Sequence, residues 1–283
     1  MKVLITGRDG FVGVHLDKYL KERGVEVLKG NPDVMEIQGL RLDVDAVVHL
    51  ASITDNGAFL KDPLAAYGVN VTGILNTLEF CRINNARMVF LSTSGVYRPK
   101  SDAVKESDEL APHNSYAMSK LMGEQLCARY CEDFHMPVTV LRLFNPYGPG
   151  QQGRFVVSYI FECLNKNEIP ALRTPNSRRD FIYIDDVCDA VFKTLGLQDA
   201  GFDIINIGSG APVSIVEVAD KIYALYERQR QKPLEVQSGA AVDDKIPFIY
   251  ADVGKAGERL SWKPETPLEK GLEKTLRHLN RQR

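Results

Sequence analysis

Cysteine and long apolar runs are both scarce in this chain, and each scarcity removes a class of protein. There are five cysteines in 283 residues, Cys81, Cys127, Cys131, Cys163 and Cys188. The count is odd and no C-x-x-C occurs, so neither a disulfide framework nor a zinc ribbon fits. Cys127 and Cys131 stand four apart on an expected helix, but no histidine pair accompanies them, and buried apolar thiols are the better reading. No metal is expected. No stretch approaches the ~18 apolar residues that span a bilayer. The first strand begins at residue 2, which leaves no room for a signal peptide, and a reducing, cytoplasmic setting is expected. Lysine and arginine total 35 against 37 acidic residues, a net charge of −2. Such a balance gives no footprint for nucleic acid or an anionic membrane.

What the chain does have is an alternation of strand-like and helical patterns. Strands are expected at residues 2–5, 25–28, 46–50, 88–92 and 138–143, and helices at 12–23, 65–84, 115–134 and 156–165. The run Ala46-Val47-Val48-His49-Leu50 is almost continuously apolar, as strands buried on both faces of a parallel sheet are. The class is therefore α/β, a Rossmann-type doubly wound parallel sheet. After residue 143 the pattern breaks at Asn145-Pro146-Tyr147-Gly148-Pro149-Gly150. A return to the sheet is expected around 179–184 and a departure after 207. Residues 1–145 with about 177–207 then form a dinucleotide-binding domain. Residues of about 146–176 and 208–283 form a smaller C-terminal substrate lobe over the carboxyl ends of the strands, where open α/β sheets bind ligands.

Two constellations carry chemistry. Thr6-Gly7-Arg8-Asp9-Gly10-Phe11-Val12-Gly13 follows a strand and opens a helix. In such a loop Gly7 makes the tight turn, Gly10 admits a pyrophosphate and Gly13 lets helix and strand pack closely, with the phosphates on the helix N-terminus. Tyr116 and Lys120 lie four apart on one helix face. An ammonium beside a phenol lowers its pKa and makes it a usable acid–base group. Together the two read as an alcohol–ketone redox site.

These strings occur in order with His49-Leu50-Ala51-Ser52, Asn70-Val71-Thr72-Gly73, Ser92-Thr93-Ser94-Gly95-Val96-Tyr97, Asn145-Pro146-Tyr147-Gly148-Pro149, Arg179-Asp180-Phe181-Ile182-Tyr183-Ile184-Asp185-Asp186-Val187 and Leu260-Ser261-Trp262-Lys263-Pro264. In this the chain resembles the extended short-chain dehydrogenases, specifically the NAD-dependent epimerase/dehydratase family acting on nucleotide sugars. The resemblance implies cofactor contacts from Gly7, Arg8, Asp9, Gly10, Phe11, Val12, Gly13, Lys29, Leu50, Ala51 and Ser52, with Tyr116 and Lys120. It implies catalysis by Tyr116, Lys120 and Thr93, with Ser92 and Ser94 as competing registers for Thr93. Substrate contacts are implied for Ser94, Asn145, Arg154 and Arg179, with Arg173 and Arg178 nearby. Asn70 is a bracing residue, His49 a satisfied core histidine, and Asp185-Asp186 a helix-start pair with N-cap duty. A homodimer through the helices at 65–84 and 115–134 is implied as well.

Departures from the family's pattern narrow the chemistry. Sugar 4,6-dehydratases carry Asp-Glu directly after the threonine, and the related decarboxylases keep the glutamate. This chain has Ser94 and Gly95 there. Only about 17 residues separate the second and third strands, where the family fits a helix and another strand. The acidic residue that would hold the adenosine ribose is replaced by Lys29-Gly30-Asn31. Asp33 is one substitute; Lys29 and Arg8 are partners for a 2′-phosphate, so NAD and NADP both stay open. Near 238–252 no arginine stands in the family's Arg-x-Gly-Asp register, with Lys245 a loose substitute, and Thr174-Pro175-Asn176-Ser177 replaces a glycine-rich turn. The implied activity is that of an NAD(P)-dependent nucleotide-sugar epimerase, most simply a 4-epimerase working through a transient keto sugar. A keto-sugar reductase and a non-catalytic dinucleotide-binding regulator are the alternatives.

Overall fold

Side chains that alternate between two apolar layers build the centre of the protein, described here by a computed structural model for residues 1–198, 201–230, 237–238 and 247–281. The strands are β1 (Lys2–Thr6), β2 (Glu26–Val27), β3 (Ala46–His49), β4 (Arg87–Thr93), β5 (Val138–Leu143) and β6 (Asn145–Tyr147). They continue with β7 (Ala171–Leu172), β8 (Arg178–Tyr183), β9 (Phe202–Ile207), β10 (Pro212–Ser214), β11 (Gln237–Ser238) and β12 (Phe248–Ile249). The helices are α1 (Phe11–Glu22), α2 (Asn56–Lys61), α3 (Pro63–Tyr67), α4 (Gly73–Ile83) and α5 (Ser115–Phe134). After them come α6 (Val156–Asn165), α7 (Ile184–Leu195), α8 (Ile215–Arg230), α9 (Gly254–Leu260) and α10 (Leu268–Arg281).

Six parallel strands make the main sheet in the order β2-β1-β3-β4-β5-β9. Val3, Ile5, Val48, Val89 and Leu141 face Leu16 and Leu20 of α1 and Val187 and Val191 of α7. Leu4, Val47, Met88, Phe90 and Val140 face the other way, onto Ile74 and Leu78 of α4 and Cys127 of α5. Helices on both faces of a parallel sheet are the doubly wound arrangement. The chain winds outward from β1 in opposite senses, to β2 on one side and β3 on the other. The crevice at the carboxyl ends of these strands is where such sheets take ligands.

Three expectations need correction. The segment at 179–184 does not rejoin the main sheet: β8 pairs with β6, β10 and β12 in a second sheet, and β9 is the strand that returns to pair with β5. Asp180 explains the second sheet. Fully buried, it accepts from the backbone N–H of Ser209 (2.6 Å), Gly210 (3.0 Å) and Ala251 (3.0 Å), binding β8 to the chain around it. The helix expected at 65–84 is broken. Asp62 caps Ala65 N at 3.0 Å ahead of Pro63–Tyr67, a π-helical turn runs through Gly68–Thr72, and α4 begins at Gly73. The widened turn carries Asn70 inward, and π-turns of this kind recur at functional sites. Asp185 and Asp186 do not N-cap α7, which starts at Ile184; both lie in its first turn. Asp186 accepts from Glu265 N (3.2 Å) and Thr266 N (3.0 Å), and Asp185 pairs with Lys274 (3.1 Å). The 28–45 segment holds one 3₁₀ turn, Ile37–Gly39, and no further strand, so two-residue β2 is the sheet edge.

A charged pair sits inside this apolar frame. Arg142 of β5 and Glu124 of α5 meet at 2.6 Å with side chains 2% and 3% exposed. Ser92 of β4 donates to the same carboxylate. Arg142 also donates to Tyr97 Oη (2.9 Å) and to Glu106 O (3.1 Å), while Tyr97 donates to Asn206 Oδ1 (2.6 Å). Every one of these groups has a partner, as a buried polar network requires. Removing one member of a buried pair leaves an uncompensated charge and costs about 3–5 kcal/mol. Glu124→Gln is therefore expected to lose stability on that scale, read as a lowered urea-unfolding midpoint. Glu124→Gln combined with Arg142→Met removes the orphaned cation and recovers most of the loss.

Candidate active site

The glycine loop is built for a close approach. Gly7 has φ +68°, where a side chain is disfavoured, and a Cβ there would lie 2.6 Å from Ala51 N. A Cβ on Gly13 would lie 2.5 Å from the carbonyl oxygens of both Gly7 and Arg8. Gly10 N donates to Gly7 O at 3.0 Å, and Gly10 stands at the N-cap of α1 with no side chain capping the helix. The first-turn amides thus point into the crevice as ready anion donors. Phe11 and Val12 are half-buried against the core. Asn31, whose role sequence reasoning missed, supports the loop from the segment after β2: its Oδ1 accepts from Gly7 N (2.9 Å) and Arg8 N (3.3 Å), and its Nδ2 donates to Asp9 (3.0 Å). Arg8 turns back, pairing with Asp17 at 2.6 Å and donating to Leu28 O at 3.2 Å. Lys29 is exposed.

Opposite the loop, Leu50 and Ala51 are held by Thr6, whose carbonyl and hydroxyl accept from their backbone N–H groups at 3.1 and 3.3 Å. Ser52 Oγ is buried and has no hydrogen-bond partner. A side-chain-free cradle, uncapped helix donors and this orphaned hydroxyl form one crevice, and they fit a dinucleotide. His49 shares a 3.0 Å hydrogen bond with Thr6 Oγ1, and burial, with Lys120 adding, pulls its pKa down to about 3. It is a neutral core histidine.

Thr93 ends β4, and its Oγ1 accepts from Gly95 N at 3.1 Å in the turn Ser94–Val96. Ser94 is buried in that turn, and Ser92 is committed to Glu124. Asn114 caps α5 by accepting from Ala117 N at 2.8 Å, which fixes where Tyr116 begins. The Asn70 carboxamide clamps Ile53 through N–H (2.8 Å) and C=O (3.0 Å) and donates to Ser119 Oγ (2.9 Å), which donates to Tyr116 O (2.7 Å). Loop 51–54 and Tyr116 are thereby one unit.

Lys120 departs from expectation. Its Nζ donates to Leu91 O at 2.9 Å and lies 4.8 Å from the Phe90 ring centroid but 5.9 Å from that of Tyr116. Burial raises Tyr116 to about 12 rather than the cation lowering it. Burial also pulls Lys120 down to about 7, against the opposing pull of Cys127 and Glu124. In this arrangement the phenol is a proton donor, and the ammonium has turned toward the sheet.

The substrate-side residues scatter. Asn145, on β6, donates to Asp180 O (2.8 Å) and so ties β6 to β8. Arg154 is exposed and reaches back to Thr54 Oγ1 at 2.9 Å. Arg179 is half-buried on β8 and donates to Arg178 O at 3.1 Å; Arg178 pairs with Glu217 at 3.2 Å. Lys245 lies outside the described residues. Among the described residues no histidine, cysteine and acid cluster is arranged for a metal ion, and no helix is long and apolar enough to cross a membrane.

A profile described as the NAD dependent epimerase/dehydratase family matches residues 3–208. The chain belongs to that family. Among solved structures it is similar to UDP-glucuronic acid 4-epimerase from Bacillus cereus in complex with UDP-glucuronic acid and NAD, at 27% identity and a TM-score of 0.89 over 100% of both chains. It is also similar to RMD from Pseudomonas aeruginosa complexed with NADPH, at 25% identity and a TM-score of 0.89 over 100% of this chain and 99% of that one. A curated relative, UDP-glucuronic acid decarboxylase 1 of Xenopus tropicalis, is 28% identical over 99% of this chain and 72% of its own length. The family thus spans several reactions on one frame.

The Lys120 environment has a measurable consequence. With its folded pKa near 7 and an unfolded value near 10.5, the unfolded chain binds more protons between those limits. Stability therefore rises with pH across that window. Urea midpoints at pH 7 and pH 9.5 should show that rise in the parent protein and a flatter response in Lys120→Met.

Proposed function

We propose that the protein is a nucleotide-sugar 4-epimerase that works with a retained NAD. The observation that carries this reading is that Thr93 ends β4 and Tyr116 and Lys120 stand on α5, which packs against β4, while positions 94 and 95 hold no titratable side chain. Water elimination needs an acid and a base beyond the tyrosine, and Ser94-Gly95 supplies neither. Inverting a carbinol carbon needs only one group that takes a proton and returns it.

When bound, the dinucleotide supplies a hydride acceptor and donor to the sugar carbon. The protein's own groups do the rest. Thr93 Oγ1 orients the sugar hydroxyl. Tyr116 Oη receives its proton as the ketone forms and returns it as the alcohol re-forms. A phenol at about 12 accepts a proton poorly at neutral pH, so the loaded site has to bring positive charge toward it. Lys120 is the chain's source of that charge, one helical turn away. Gly7, Gly10, Gly13 and the first-turn amides of α1 hold the phosphates, and Leu50, Ala51 and Ser52 line the opposite wall. Ser94, Asn145, Arg154 and Arg179 contribute to the sugar-nucleotide side.

NAD is favoured over NADP by the fate of Arg8. A guanidinium held by Asp17 at 2.6 Å and by Leu28 O at 3.2 Å is committed away from a 2′-phosphate, and neutral Asn31 stands at the loop amides instead.

The test is incubation with UDP-glucuronic acid and with UDP-glucose without added cofactor, the products resolved by proton NMR. The expected product is the C4 epimer. Tyr116→Phe should lower kcat by about 10²–10⁴ with the same dinucleotide content on denaturation. A pentose product would make the protein a decarboxylase. Turnover that consumes added NADPH stoichiometrically would make it a reductase.

A further inference from the structure

Segment 149–154, between β6 and α6, is fastened at each end to an element that borders the dinucleotide crevice. At its start, His15 Nε2 of α1 lies 2.8 Å from Pro149 O. A carbonyl oxygen only accepts, so Nε2 carries the hydrogen and donates it. The same imidazole meets the Phe11 ring edge-on, at 5.5 Å and 75°, and Phe11 follows Gly10 as the first residue of α1. At its end, Arg154 Nη2 donates to Thr54 Oγ1 at 2.9 Å, and the guanidinium lies 5.2 Å from the Phe155 ring centroid. Thr54 follows Ile53, whose two backbone groups Asn70 holds. One anchor therefore stands on the glycine-loop side and the other on the opposite wall, both on fixed parts of the frame. None of residues 149–154 is buried, so apolar packing does not secure the segment. Its other described hydrogen bonds stay local, within residues 146–158.

We propose that His15 and Thr54 are positioning residues that hold segment 149–154 as a strap across the crevice, and that the strap sets how long a bound dinucleotide stays. This rests on the retained-cofactor reading above. An epimerase that returns the hydride it removed has to keep its dinucleotide between the two steps, and the opening of a covering loop commonly limits release. Closure needs both ties. Once either is lost, the segment is anchored at one end only, and loss of the second adds little.

The test is the off-rate of dinucleotide from the whole protein, loaded with radiolabelled NAD and chased with an excess of unlabelled NAD. His15→Phe keeps a ring against Phe11 but has no donor for Pro149 O, and Thr54→Val keeps the shape but has no hydroxyl. Arg154 is left in place because it stands on the sugar-nucleotide side as well. Each variant is expected to release NAD about three- to ten-fold faster, the worth of one hydrogen bond. The double variant should be no faster than the faster single. His15→Gln, which keeps an N–H donor, and Thr54→Ser, which keeps the hydroxyl, should return to the parent's rate, a rescue that a merely structural role would not give. Parent off-rates in both His15→Phe and Thr54→Val, or a double-variant acceleration equal to the product of the two singles, overturn the inference. Formation of the C4 epimer alongside such a result leaves the epimerase reading standing. Off-rates that respond as expected in a protein that forms no C4 epimer overturn that reading and leave the strap. A parent protein that takes up no NAD overturns both.

Discussion

The buried pair between Arg142 and Glu124 is the constraint on which the rest of the site depends. It joins β5 to α5, and through Ser92 it takes in β4, so three elements share one polar network. Ser92 precedes Thr93 directly, and Glu124 lies one turn beyond Lys120. Sliding α5 along the sheet would strand a guanidinium in an apolar interior, a far larger penalty than slippage among leucines and valines would carry. The register between the threonine and the tyrosine–lysine pair is therefore fixed electrostatically as well as by packing. Asn70 makes a second tie at the other end, from loop 51–54 through Ser119 to Tyr116.

This rigidity frames a polar arrangement that is not yet charged for chemistry. The phenol is held protonated by burial, and the lysine's charge is weakened by burial and directed to a backbone carbonyl. Lys120 Nζ lies 5.9 Å from the Tyr116 ring centroid, one helical turn along α5. The glycine loop is the opposite case: two glycines that tolerate no side chain shape it, the start of α1 is left without a side-chain cap, and Asn31 occupies the amides of Gly7 and Arg8.

Much of this was legible in the sequence because its signals are local. The helix at 115–134 begins where Asn114 caps it and stops where His135 adopts a left-handed conformation. The strand at 46–50 has the almost continuously apolar character of a buried parallel strand, and the glycine spacing in 7–13 states its purpose. What was not legible depends on contacts distant along the chain. The π-helical turn exists because Asn70 must reach Ile53 and Ser119, and Gly73 must pass Val34, which a Cβ there would meet at 2.6 Å. The strand at 179–184 reads like any buried strand; Asp180's partners, up to 71 residues onward, decide which sheet it joins. One neglected signal was present: an arginine in the middle of an apolar strand demands a buried acid, and Glu124, four residues past Lys120, was available. Lys120's preference for Leu91 O over Tyr116 has no counterpart in the i, i+4 spacing that suggested the pair.

The central claim is that one proton-transferring tyrosine serves oxidation and re-reduction at the same sugar carbon without exchange with solvent. The most direct measurement follows a nucleotide sugar carrying deuterium at C4 through turnover in ordinary water. The account predicts the label retained at C4 of the inverted product, with no reduced dinucleotide accumulating in solution. Loss of the label to water, or one equivalent of NADH released per sugar consumed, would contradict it.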